Sequence, residues 1–246
     1  MDFDEERRHL HRTPWGAFPD VIIYSEERFV KTHPLYQSAK EGDARTAEGL
    51  IEDAMASADL AGLKLLIGSS HPWLLPVHAL ETEGMNVIPR VFARTLARLL
   101  DLPVFAGVIQ INRVTHTGAS GYHRLAFPAI FEGEVAHVNY LLVDDFIGQG
   151  GTLANLRGFV ETNGGRVIGA AALTGKTYSA KLRVGEQALL ELRRKHGERL
   201  EEWWIATFGY GFERLTHSEA RYLARVDDAN AVPERLATAR RARDRR

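Results

Sequence analysis

The chain has 246 residues, 45% hydrophobic and 26% charged, a balance suited to one large globular domain or a core with sizeable additions. Its formal net charge of -1 excludes a global pull toward nucleic acid or acidic membranes, and the lack of cysteine excludes disulfides and thiolate metal sites. The opening stretch MDFDEERRHLHRTPWG is too charged to read as a secretory signal, and no apolar run approaches a membrane span, so cytoplasmic residence without membrane association is the expectation.

Arg12 to Asp20 holds two prolines and a glycine and reads as loop; VIIYS (Val21 to Ser25) reads as a short strand. Asp43 is placed to cap a helix, because Ala44, Ala47, Leu50, Ile51 and Ala54 recur at helical spacing behind it. From about Leu63 the texture becomes alternating strands and helices. LKLLIG (Leu63 to Gly68) and WLLPVH (Trp73 to His78) read as strands, with Pro72 and Pro76 marking the second as an edge or a strand end. Pro89 to Leu100 is a helix with proline at its start, and Pro103 to Ile111 is the next strand. Asn112 to Arg124, rich in glycine and polar residues, reads as a mobile loop.

Val138 to Val143 is nearly unbroken apolar sequence, the kind that is buried on both faces of a parallel sheet. A helix over Thr152 to Thr162 stops at NGG, and Arg166 to Thr174 supplies the following strand. That succession predicts an α/β fold with a central, mainly parallel sheet flanked by helices. Beyond Lys176 the pattern is helical, and Thr216 with Glu219 forms a capping box. The aromatic stretch Trp203 to Phe212 reads either as core of this C-terminal part or as a hood on which a planar ligand stacks. The basic end, RLATARRARDRR, reads as a solvated helix or frayed tail, with a nucleic-acid contact as its alternative. The expected organisation is an N-terminal addition over 1–60, a core over 61–175 and a helical C-terminal addition over 176–246.

The chemistry concentrates in NYLLVDDFIGQGGTLANL, Asn139 to Leu156. A glycine-rich turn between strand and helix presents backbone N–H groups at the positive end of the helix dipole, a place for phosphate. Gly148, Gly150 and Gly151 let the backbone approach closely, and the Thr152 hydroxyl adds a donor. A P-loop would need lysine where Thr152 stands, a dinucleotide fingerprint fails at Leu153, and G-x-S-x-G lacks its serine. Asp144 and Asp145, just ahead of that turn, would repel a bare phosphate. A sugar phosphate resolves the conflict: vicinal hydroxyls donate to the carboxylates while the 5′-phosphate reaches the glycines.

LLVDDFIGQGGTL resembles the 5-phosphoribosyl-1-diphosphate (PRPP) binding motif of type I phosphoribosyltransferases: four apolar residues, two acids, two further residues and a turn ending Gly-Gly-Thr. Over Leu63 to Thr174 the order of elements, with PVHALETEGMNVIPRVFARTLARLL, INR and YHRLAFPAIF, is similar to that of ComF-like and amidophosphoribosyltransferase-like members. The resemblance implies transfer of the 5-phosphoribosyl group from PRPP to a nitrogenous acceptor, with release of pyrophosphate. Asp144 and Asp145 would bind the ribose hydroxyls, and would meet Mg²⁺ indirectly through those hydroxyls, pyrophosphate or water. Asp145 would also be placed to take a proton from the acceptor.

Gly148, Gln149, Gly150, Gly151 and Thr152 would wrap the 5′-phosphate. His78 and Ala79, in the turn after Val77, would approach pyrophosphate, as would Arg113 and Arg124; Arg113 also reads as an ordinary surface arginine. Members commonly carry two threonines where this chain has Gly148 and Gln149, which removes hydroxyl donors from the turn. The implied partners are small molecules, PRPP with a base or amine, and a second copy in a homodimer. The alternative reading is a PRPP- or nucleotide-binding regulatory protein with little or no turnover.

Overall fold

The computed structural model describes residues 9–78, 80–81, 84–112 and 121–244. The described residues open with loop and then β1 (Ile22–Glu26), which runs straight into α1 (Glu27–Lys31). Three helices follow: α2 (Tyr36–Lys40), α3 (Ala44–Met55) and α4 (Ala61–Ile67). Asp43 caps α3 as its sequence predicts, its carboxylate accepting from the amides of Arg45 and Thr46. β2 (Trp73–Pro76), the short β3 (Leu80–Glu81) and β4 (Gly84–Met85), and α5 (Ile88–Leu100) come next. β5 (Val108–Gln110), α6 (Gly121–Ala126) and β6 (Phe131–Gly133) lead to β7 (Asn139–Ile147). α7 (Gly151–Thr162) and β8 (Arg166–Gly175) complete the β-α-β unit. The C-terminal third holds α8 (Glu186–Phe208), α9 (His217–Ala224) and α10 (Ala231–Asp244), with α8 broken at Gly197, whose φ is 69 and ψ 176.

The central sheet has the order β1-β8-β7-β2 and is parallel throughout. Because alternate residues of a strand face opposite sides, β7 sends Tyr140 and Leu142 to one face and Leu141 and Val143 to the other. The first pair joins a core built with α7 and the C-terminal helices, including Val160, Trp204 and Phe212. The second joins a core of the N-terminal helices and α5, including Leu50, Leu63, Phe92 and Leu96. Helices therefore cover both faces, as the apolar strand sequence predicts. β1, inside the segment read as an N-terminal addition, forms one edge of this sheet through Ile22 and Ala171 and on to Glu26 and Gly175.

Four local expectations are corrected. LKLLIG is part of helix α4: Leu63 and Ile67 are buried four residues apart, while Leu65 between them is 85% exposed. Pro103 to Ile111 makes only a single bridge from Val104 to Leu74 before β5, which pairs antiparallel with β6. Gly121 to Arg124, read as loop, is the start of α6; the preceding residues 113–120 lie outside the described residues. The strand read as ending at Val143 runs on to Ile147, with Asp144 opposite Ala172 and Phe146 opposite Thr174. The basic C-terminal stretch is helical and docks through the buried Val232 and Leu236, with Arg235 lying 5.4 Å from the centre of the Tyr122 ring.

Candidate functional site

The acid pair owes its position to the neighbouring strand. β2 ends at Pro76 opposite Val143, and Val77 gives the last hydrogen bond, to the Val143 carbonyl at 2.8 Å. β7 continues beyond that point, so one side of Asp144 and Asp145 opens onto the carboxyl edge, where open α/β sheets bind ligands. The two side chains stay close enough for the charge of one to act strongly on the other.

Asp144, only 6% exposed, accepts at Oδ1 from the amide of Asp145 at 2.9 Å. Asp145 meets Lys40 Nζ at 3.3 Å and accepts from Asn86 Nδ2 at 2.9 Å. Asn86 is held in turn, its Oδ1 accepting from the Ile88 amide at the start of α5. Burial, and after it the charge of Asp145, raises the Asp144 pKa well above the ordinary aspartate value. Burial also pushes Asp145 upward, but Lys40 and Asn86 outweigh it and hold Asp145 below that value. The like-charge conflict is thus relieved unevenly: Asp144 takes up a proton first, and Asp145 stays ionised beside its lysine.

The glycine turn follows at once. Gly150 has φ 80, a left-handed conformation that favours glycine, and a Cβ there would stand 2.3 Å from Leu182 Cδ2. At Gly148 a Cβ would stand 2.3 Å from Arg124 Nη1, so the guanidinium lies directly against the turn. Burial lowers the pKa of that arginine, with Glu27 acting in the opposite sense. α7 begins at Gly151, and Gly150 has no side chain with which to cap its first turn, so the helix N-terminus presents main-chain amides.

The structure brings Asp144, Asp145, Gly148 through Thr152 and Arg124 together in one cleft. His78 does not line it; this half-buried side chain has its pKa lowered by burial and then by Arg90, and its carbonyl accepts from the Gln110 amide. Ala79 and Arg113 lie outside the described residues.

Sequence reasoning missed the cleft's second wall. Arg12, from the N-terminal loop, makes a two-pronged pair with Glu219 of α9: Nη1 to Oε2 at 3.0 Å and Nη2 to Oε1 at 2.9 Å. Both side chains are almost fully buried, at 3% and 4% exposure. Arg12 also donates to Asn155 Oδ1 on α7 and to the Arg214 carbonyl, and its guanidinium lies 5.1 Å from the centre of the Tyr210 ring. Desolvation works against the charge on Arg12, but Glu219 outweighs it and raises the pKa. Burial pushes the Tyr210 hydroxyl up to about 12.

The expected capping box is present, with Thr216 Oγ1 accepting from the Glu219 amide and Glu219 Oε2 from the Thr216 amide. The same Thr216 hydroxyl donates to the Gln149 carbonyl at 2.6 Å, tying this wall to the phosphate turn. The sequence signals in this wall were the capping box and the aromatic stretch read as core or hood. The aromatic stretch from Trp203 is core, with Trp204, Phe208 and Phe212 buried; Tyr210 alone of that stretch also lines the cleft.

No protein-family model matches the chain. It is 41% identical over 230 residues to Protein TraN of Escherichia coli, covering 93% of this chain and 51% of that protein. It is 37% identical over 158 residues to an uncharacterized protein of Haemophilus influenzae (strain ATCC 51907 / DSM 11121 / KW20 / Rd), covering 63% of this chain and 35% of that protein. The chain thus spans about half the length of the first curated relative and about a third of the second. Among solved structures, an adenine phosphoribosyltransferase aligns with a TM-score of 0.35 and 15% identity, over 72% of this chain and 92% of that one. Adenine phosphoribosyltransferase from Leishmania donovani aligns with a TM-score of 0.37 and 14% identity, over 75% of this chain and 80% of that one. The α/β architecture stands on the parallel sheet and its flanking helices.

Proposed function

We propose that the chain is a PRPP-dependent phosphoribosyltransferase that transfers the 5-phosphoribosyl group to a nitrogen acceptor and releases pyrophosphate. The observation supporting this reading is a single cleft in which an acid pair on a strand edge stands beside a glycine turn opening a helix, with Arg124 against that turn. Such a cleft suits a ligand with hydroxyls at one end and phosphate at the other.

In this reading the main-chain amides of the turn and the Thr152 hydroxyl take the 5′-phosphate, as a helix N-terminus favours an anion. Asp145 accepts from one ribose hydroxyl, and Asp144 pairs with the other. The acceptor's lone pair forms the bond to the anomeric carbon as the carbon–oxygen bond to pyrophosphate breaks, and that bond's electrons leave with pyrophosphate. A proton on the acceptor nitrogen passes to solvent, because the lowered pKa of Asp145 makes it a weak base and suits it to anchoring. The chain's work is positioning and charge placement at a site screened by two packed walls.

Magnesium takes hard oxygen donors, often one or two carboxylates with substrate phosphates. Asp144 and Asp145 offer such oxygens at the cleft, so the residues present fit an ion they would help hold together with substrate oxygens. When bound, Mg²⁺ offsets the charge of the leaving pyrophosphate.

Asp144→Asn and Asp145→Asn are each expected to cut PRPP-dependent pyrophosphate release by about 10²-fold or more; a rate within a fewfold of the parent would refute the assignment. A second reading, PRPP binding without turnover, is favoured by the Lys40–Asp145 pair, which already engages a carboxylate needed for ribose, and by Gly148 and Gln149 in the turn. Calorimetric PRPP binding with no pyrophosphate released across a panel of bases would select it.

A further inference from the structure

A second cavity, of about 420 Å³, adjoins the cleft and shares Lys31, Arg124, Phe146, Gly148 and Gln149 with it. Its charge is one-sided. Lys31, Arg124, Lys176, Arg221 and Arg225 line it against a single acid, Glu27, which Lys31 already meets at 2.5 Å. Since the whole chain is formally -1, this excess of cations is local. Arg221 of α9 and Arg225, the residue capping its C-terminal end in αR conformation, are four apart and so lie on one side of the helix end.

Aromatic rings accompany the charges. Tyr178, 52% exposed, has Lys176 Nζ at 5.9 Å and Arg221 Cζ at 5.4 Å from its ring centre. Phe146 follows the acid pair on β7, with Lys31 Nζ 3.9 Å from its ring centre. Gln149, lining both cavities, carries a buried Oε1 with no hydrogen-bond partner among the described residues, an acceptor for an N–H group. Rings offer a stacking surface for a planar heterocycle, guanidinium groups recognise carboxylates in two-pronged fashion, and an amide oxygen takes an N–H.

We propose that this basin seats the acceptor, and that the acceptor is an anionic nitrogen heterocycle whose ring carries a carboxylate. The inference rests on the transferase reading: the ring nitrogen attacks the anomeric carbon from the basin side, and pyrophosphate departs with the bonding electrons. A neutral base would offer no charge to Lys176, Arg221 and Arg225, which line the basin along with the Glu27–Lys31 pair. A polynucleotide would need a cationic track, whereas these cations gather around one cavity continuous with the cleft.

The test measures two ligands separately by calorimetry on the full chain. Ribose 5-phosphate reports the cleft. Pyridine- and pyrimidine-carboxylates report the basin against their uncharged carboxamides and a ten-residue single-stranded oligonucleotide. Carboxylates are expected to bind about tenfold or more tighter than the carboxamides, with affinity falling as salt rises. The double variant Arg221→Gln/Lys176→Gln is expected to remove that preference while ribose 5-phosphate binds as before; Arg221→Lys/Lys176→Arg, which keeps the charge, is expected to retain part of it. Equal binding of carboxylate and carboxamide, or a preference for the oligonucleotide, overturns the proposal. Carboxylate binding without any ribose 5-phosphate binding overturns the transferase reading and with it the basin's role as an acceptor site.

Discussion

Replacing Arg12 by methionine tests whether the buried pair with Glu219 holds the second wall of the cleft. The substitution keeps an apolar stem but strands a carboxylate that is 4% exposed and whose two oxygens both meet this guanidinium, its one cationic partner among the described residues. It also leaves Asn155 Oδ1 and the Arg214 carbonyl without their Arg12 donor. Breaking a buried pair from one side costs about 3–5 kcal/mol, because the surviving charge stays desolvated. At roughly 2–4 °C per kcal/mol for a chain of this size, the melting temperature should fall by about 6–20 °C. The double variant Arg12→Met/Glu219→Gln removes the orphaned charge, and glutamine can still accept from the Thr216 amide, so most of the loss should return. A double-mutant cycle read by thermal and chemical denaturation should show about 2 kcal/mol or more of coupling. Because Thr216 holds the Gln149 carbonyl, the single variant should also weaken ribose 5-phosphate binding more than the double does. A melting temperature lowered by less than 3 °C, or strict additivity in the cycle, would refute the reasoning.

Gly150→Ala forces a side chain into a left-handed backbone and toward Leu182, so a loss of about 2 kcal/mol in chemical denaturation is expected; unchanged stability would show that the turn adapts. Asp144→Asn should stabilise the fold even as it removes activity, with a pH dependence of definite sign. Because the folded pKa of Asp144 lies above its unfolded value, native Asp144 loses stability as pH rises from that unfolded value, about 3.9, through the folded one. The gain from asparagine should be absent in strong acid, grow across that window and then level off. Melting curves from pH 3 to 8 read this directly, and a difference that shrinks with rising pH would be incompatible with a protonated, buried Asp144.

The part of the site that could be read from the sequence is the part that is contiguous. Strand, acid pair, turn and helix lie within Asn139 to Leu156, so local rules on apolar runs, glycine turns and helix starts were enough. The extent of the strand was misread because residues past Val143 are held by pairing with β8, nearly thirty residues further along, while the open edge is set by where β2 stops. LKLLIG shows the limit of periodicity in short apolar runs, where one exposed leucine among buried neighbours separates helix from strand only after packing is known. Lys40, Asn86, Arg12 and Glu219 reach the cleft from four distant segments, and nothing local in their surroundings announces a ligand site.

The Arg12–Glu219 pair spans 207 positions of sequence. During synthesis at roughly 5–20 residues per second, about 10–40 s separate the appearance of its two halves, and neither can be buried with its charge balanced until the other arrives. A nascent chain that has already made β7 and α7 therefore carries the acid pair and the glycine turn beside a wall still to be built. Competence for ligand is acquired late, when α9 docks, so premature termination between the end of α7 and Glu219 should leave a chain with its signature motif and no working cleft.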